Sequence, residues 1–84
     1  MNKFKTIGIV PRIKKPQVSA LTIELATWLT TRQIQVKIPY EDAKALGKDE
    51  FGYRDIEFIK DVELIIVLGG DGTILRAARL IRDK

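Results

Sequence analysis

An aspartate held among three glycines is the arrangement in this chain with the clearest chemical meaning: Leu68-Gly69-Gly70-Asp71-Gly72-Thr73, set between an apolar run and a stretch of helical period. Glycine adopts positive φ and has no Cβ, so such a segment can turn sharply, approach a ligand closely and direct its N–H groups outward. A helix starting directly behind it favours anions through its unpaired N–H groups and its dipole. The combination describes a phosphate site with one carboxylate, Asp71, in it. Gly69, Gly70, Asp71, Gly72 and Thr73 are the candidate ligand-binding residues, and no residue is assigned to a metal. The competing reading is a plain turn in which Asp71 caps the helix, but a capped turn needs one glycine, seldom three around a carboxylate. Two better-known phosphate loops are absent: no G-x-G-x-x-G can be written here, and no Gly-Lys-Ser/Thr follows the glycines.

The surrounding elements must position that turn. Residues 5–10 contain β-branched residues and stop at Pro11, so they read as a first strand, followed by a proline-bounded loop over 11–16. From Gln17 the period becomes helical, with Val18, Leu21, Leu25, Trp28 and Leu29 on one stripe. Trp28 at that spacing is expected in the core or in a domain interface. Residues 33–38 alternate polar with apolar up to Pro39, a half-buried strand whose polar side suggests an edge position or a covering element not in view. Periodicity then fades between Tyr40 and Tyr53, with a short helix over 41–46, a stop at Gly47 and a solvated connection at Lys48-Asp49-Glu50. A helical turn over 55–59 precedes the strongest strand, 64–68, and a last helix covers 73–81. Strands alternating with helices imply right-handed crossovers and a parallel sheet, that is, an α/β fold: a Rossmann-like open parallel sheet with flanking helices.

In such sheets ligands bind at the C-terminal ends of the strands. The 11–16 loop and the glycine turn therefore belong on one edge, and Lys14 and Lys15 become candidates for holding a phosphate, with a solvated loop as the simpler reading. Arg76 and Arg79 are expected to face water or an interface. Asp49 and Glu50 are expected to be solvated rather than metal-bound.

Composition narrows the partners. The chain has 84 residues, 45% of them hydrophobic and 31% charged, with no cysteine and no histidine. That is one small globular domain without disulfides or zinc-type sites; a cation would be Mg²⁺, held by oxygen atoms. A domain of this size buries roughly 60% of its unfolded surface and is marginal in stability. The net charge of +4 comes from 15 basic residues spread among 11 acids. Without an aromatic-studded basic groove, small phosphorylated molecules fit that balance better than nucleic acid. No apolar run is long enough for a signal peptide core or a membrane span, so a soluble cytoplasmic protein is expected.

The segment Gly69-Gly70-Asp71-Gly72-Thr73 resembles the GGDGT motif shared by NAD kinases, diacylglycerol and sphingosine lipid kinases and, in variant form, phosphofructokinases. Its continuation Ile74-Leu75-Arg76-Ala77-Ala78-Arg79, the acidic Asp61 and Glu63 ahead of the strand, and the opening Lys5-Thr6-Ile7-Gly8-Ile9-Val10 are most similar to NAD kinases. The resemblance implies phosphorylation of the adenosine ribose 2′-hydroxyl of NAD⁺ to NADP⁺, with ATP or polyphosphate as donor together with Mg²⁺ or another divalent cation. It implies Asp71 as the group orienting and deprotonating that hydroxyl, and a complete enzyme that is homo-oligomeric. It also implies that residues 1–84 are the N-terminal α/β domain of a two-domain enzyme whose β-rich C-terminal domain is absent, and that the chain alone is inactive. The helical pattern still running at Arg82-Asp83-Lys84 agrees with that expectation. A lipid kinase and a non-catalytic nucleotide-binding module remain the alternatives.

Overall fold

The computed structural model describes residues 4–82. Met1-Asn2-Lys3 and the chain end at Asp83-Lys84, with the expectation of a continuing helix there, lie outside the described residues. In chain order the elements are β1 (Thr6–Pro11), α1 (Pro16–Thr30), β2 (Gln35–Pro39), α2 (Tyr40–Ala45), a 3₁₀ turn (Asp49–Phe51), β3 (Gly52–Tyr53), α3 (Asp55–Ile59), β4 (Leu64–Leu68) and α4 (Asp71–Arg82). All pairings are parallel and the strand order is β3-β2-β1-β4.

The order follows from burial. Strand β1 is apolar on both sides, as a central parallel strand must be. Ile7 and Ile9 face one way, joining Ala26 and Leu29 of α1, Val36 and Ile38 of β2, and Ala43 of α2. Val10 faces the other way, with Phe58 and Ile59 of α3 and Ala77 of α4. Gly8 shares that second side because the Phe58 ring lies over it: a Cβ there would come within 3.0 Å of the ring Cζ. Helices thus cover both faces of the sheet, two on each.

Three expectations are corrected here. Strand β2 is not an edge; it lies between β3 and β1, and its polar side is filled by Lys37. The Lys37 ammonium donates to the carbonyls of Glu57 (2.7 Å) and Lys60 (2.8 Å), which are free acceptors at the C-terminal end of α3, and stands over the Tyr53 ring. Residues 33 and 34 precede the strand because Gln33 is left-handed, φ 64°, at the close of α1. Trp28 is not core: it is 51% exposed on the outer face of α1, with the Arg32 guanidinium 3.6 Å from its ring centroid. The Lys48-Asp49-Glu50 connection leaves Asp49 and Glu50 exposed as expected, within a 3₁₀ turn that seats Phe51 against the core.

The start of the β1–β4 seam is fastened by Glu63. Its Oε1 accepts from the backbone N–H of Lys5 and of Thr6, the latter at 3.1 Å, and its own N–H donates to the Thr6 carbonyl at 3.0 Å. Those backbone donors, Lys5 first, hold the Glu63 carboxyl below the usual carboxylate range. A depressed acid contributes stability above its unfolded-state value and loses it as pH falls through the folded one. Glu63→Gln is therefore expected to lower the melting temperature at pH 7 and to have a smaller effect in acid, as pH falls through the folded value of Glu63. Thermal melts at pH 7 and in acid check this, and equal shifts at the two would contradict it.

Candidate functional site

Sheet topology alone singles out one crevice. From β1 the chain crosses by α1, on one face, to β2; it returns by α3, on the other face, to β4 on the opposite side of β1. The loops leaving β1 and β4 therefore part in opposite directions, which opens a cleft at the C-terminal ends of these two strands. Pro11 pairs in register with Leu68, and Arg12 N–H donates to the Leu68 carbonyl at 2.8 Å. The 12–15 loop and the glycine turn thus begin side by side, as the sequence implies.

The turn is tighter than its sequence reading, because α4 begins at Asp71 and not at Thr73. The Gly70 carbonyl accepts from Thr73 N–H (3.0 Å) and Ile74 N–H (3.2 Å), so Gly70 occupies the cap position. Asp71 is in the first helical turn, exposed, and makes no side-chain hydrogen bond among the described residues. It does not cap the helix. Neither its backbone N–H nor that of Gly72 finds a backbone acceptor among the described residues, leaving two donors for an anion at the positive end of α4.

The glycines are not equivalent. Gly69 has φ +153°, and a Cβ there would lie 2.5 Å from Thr73 Oγ1 and 2.8 Å from Arg12 Cβ. Gly69 is thus required by the fold. A Cβ on Gly72 would meet nothing within 4 Å, so its small size matters only toward a ligand.

A cleft of about 600 Å³ opens beside this turn, lined by Pro11, Arg12, Ile13 and Lys14 from β1 and its loop, Asp42 from α2, and Gly72, Thr73 and Arg76 from α4. Its volume is that of an ordinary small-molecule site. Of the predicted residues, Gly72 and Thr73 line it and Gly69 and Gly70 stand against Arg12, whereas Asp71 is exposed outside the lining. Lys14 lines the cleft; Lys15 is at the N-cap position of α1.

A family model described as ATP-NAD kinase N-terminal domain matches residues 7–84. The chain belongs to the NAD kinase family. It is 41% identical over 78 residues to an NAD kinase of Moorella thermoacetica, covering 93% of this chain and 25% of that protein. An NAD kinase of Natranaerobius thermophilus is 37% identical over 76 residues, 90% of this chain and 27% of its own length. One of Nitrosomonas eutropha is 37% identical over 79 residues, 93% and 27%. The chain spans about a quarter of the length of these relatives. No solved structure matches it.

Two residues lining the cleft escaped the sequence reading. Arg76, expected at water or an interface, donates from Nη2 to Asp42 Oδ2 at 2.5 Å and from Nη1 to the Pro11 carbonyl at 3.4 Å. The sequence pattern singles out no role for Asp42. The two are 34 positions apart, and only the return of β4 beside β1 brings them together. Asp42 is buried, and burial pushes its carboxyl above the usual range, although Arg76 pulls the other way. Burial thus makes the ionised carboxylate costly at neutral pH, and Arg76 offsets part of that cost. Among the described residues no helix is long and apolar enough to cross a membrane.

Proposed function

We propose that the protein phosphorylates the adenosine ribose 2′-hydroxyl of NAD⁺ to give NADP⁺, using ATP or polyphosphate. It does so in the cytoplasm as a homo-oligomer, with a β-rich C-terminal domain beyond these residues. The observation that carries the reading is the glycine turn of a NAD kinase-family chain, with unpaired N–H groups at the start of α4 and an uncommitted carboxylate beside them. The matched relatives are named NAD kinases, which gives the lipid-kinase alternative no support.

In this reading the donor's phosphates meet the N–H groups of Asp71 and Gly72 and the cations of the cleft. The 2′-oxygen attacks the terminal phosphorus while the bond to the bridging oxygen breaks, and its electron pair leaves with the shortened donor. Asp71 orients the hydroxyl and takes its proton. A largely dissociative transition state asks for little base strength, so orientation is the larger contribution. A divalent cation, when bound, neutralises phosphate charge.

The test is NADP⁺ formation from NAD⁺ with ATP or tripolyphosphate and Mg²⁺, read by a coupled dehydrogenase. The protein at the full length of its relatives is expected to turn over. The 84-residue chain is expected not to, because one open cleft does not enclose and orient two substrates. Absence of NADP⁺ from the longer protein would refute the function, and turnover by the short chain would refute the need for a second domain.

A further inference from the structure

Helix α1 lacks what a helix on the surface of a sheet ordinarily has, a charged outer face. Of its fifteen residues only Glu24 is charged, and its outward side chains include Leu21, 48% exposed, and Trp28, 51% exposed. An open, mainly apolar groove of about 640 Å³ runs along that face from Leu21 to Thr31. A helix this poor in charge, with an aromatic at its centre, belongs in an interior or an interface.

Position and charge indicate what covers it. Helix α1 starts beside the cleft at its cap, Lys15, and runs back along the sheet, so Trp28 lies about 20 Å further on, at the other end of the strands. A second domain that closes the cleft belongs at the opposite end. A lipid surface would ask for lysines or arginines along the helix, and α1 has none.

The charges that flank the groove are instead self-complementary. Glu24 and Arg32 stand four residues before and four after Trp28, about one turn either way on the same face, and both are exposed. The Arg32 guanidinium is drawn onto that face, 3.6 Å from the Trp28 ring centroid and donating to the Trp28 carbonyl at 3.3 Å. A two-fold axis at Trp28 sets two copies of α1 antiparallel, with each Trp28 against the other's groove and each Glu24 opposite the other's Arg32.

We propose that the outer face of α1 is a two-fold interface between copies of this chain, centred on Trp28 and closed on both sides by Glu24–Arg32 pairs. It rests on the homo-oligomeric part of the proposed function, of which it names one contact, and not on the kinase chemistry.

The test is the solution mass of the full-length protein by sedimentation equilibrium across a wide concentration range, beside its melting temperature. Wild type is compared with Trp28→Ala, Glu24→Arg, Arg32→Glu and the double reversal. Trp28→Ala is expected to weaken association about 10- to 100-fold, the range of a central aromatic anchor, and to halve the mass where the wild type stays assembled. Each single reversal sets like charges opposite each other twice across the axis and weakens association about tenfold. The double reversal restores both pairs in the opposite sense and recovers most of that loss. A double reversal no better associated than the single ones overturns the proposal. So does a Trp28→Ala protein of unchanged mass: with a lowered melting temperature it shows that the chain's own further residues cover α1, and with an unchanged one that nothing does. Should Trp28→Ala not fold, the three charge variants decide alone. A wild type whose mass is indifferent to every α1 variant sinks this interface and keeps the homo-oligomer, whereas a monomeric wild type sinks both. NADP⁺ formation tests the kinase reading separately.

Discussion

Asp71→Asn in the full-length enzyme is expected to lower kcat by about 10² to 10⁴, the range of a lost general base, with far less change in nucleotide binding. Asn is nearly isosteric, is accepted in turns and first helical turns, and removes only the charge. Nothing in the fold depends on that charge: Asp71 is exposed, its side chain bonds to no other described residue, and Gly70 already closes the first turn of α4. Loss of activity would therefore report chemistry and not stability. The check is steady-state kinetics beside a thermal melt, and a well-folded variant with near-normal kcat would remove Asp71 from the mechanism.

The second large effect is on folding. Gly69→Ala places a methyl group 2.5 Å from Thr73 Oγ1 and 2.8 Å from Arg12 Cβ, at a φ of +153° that side chains rarely adopt. Backbone strain of about 1–3 kcal/mol and overpacking of about 1–3 kcal/mol both apply. A domain of this length has about 4–12 kcal/mol of stability in all. Gly72→Ala is the control within the same motif: its methyl meets nothing within 4 Å, and alanine is the better helix former by about 1 kcal/mol. Denaturant melts of the two variants should move in opposite directions. If Gly72→Ala melts as high as the wild type yet binds donor poorly, that glycine is small for the ligand's sake. If Gly69→Ala is as stable as the wild type, the steric account of the turn is wrong.

What the sequence disclosed, and what it withheld, divides along physical lines. Strands β1 and β4, helix α1, the short α3 and the placement of the 12–15 loop beside the glycine turn were legible because hydrophobic period and proline or glycine punctuation are local. Resemblance to the NAD kinase family was legible in Gly69 to Thr73 together with the continuation Ile74 to Arg79, the acids Asp61 and Glu63, and the opening Lys5 to Val10. The two-residue strand β3 was not, since Gly52 and Tyr53 carry no alternation to read. Lys37 looked like the solvated side of an edge strand because its partners, the carbonyls of Glu57 and Lys60, exist only once α3 ends above β2. Trp28 fits the apolar stripe of α1, yet it lies at the stripe's margin, where Arg32 covers it instead of the sheet. The pairing of Asp42 with Arg76 joins elements far apart in the chain, and no spacing rule foretells it.

The seam between β1 and β4 carries a consequence for how the site lives and fails. Among the described residues, β4 is hydrogen-bonded to one strand alone, and everything the cleft draws from Gly72, Thr73 and Arg76 arrives through that strand and the helix behind it. The core beneath α1 and β2 draws only Ile66 and Leu68 from this region. Fluctuations that peel β4 and α4 away can thus dissolve the cleft while most of the other side of the sheet stays folded, a sub-global opening rather than denaturation. A ligand whose phosphates span from Arg12 and Lys14 to the start of α4 would close that seam from outside, so occupancy and local order rise together by mass action. An edge of the sheet is then the part on which the proposed chemistry depends.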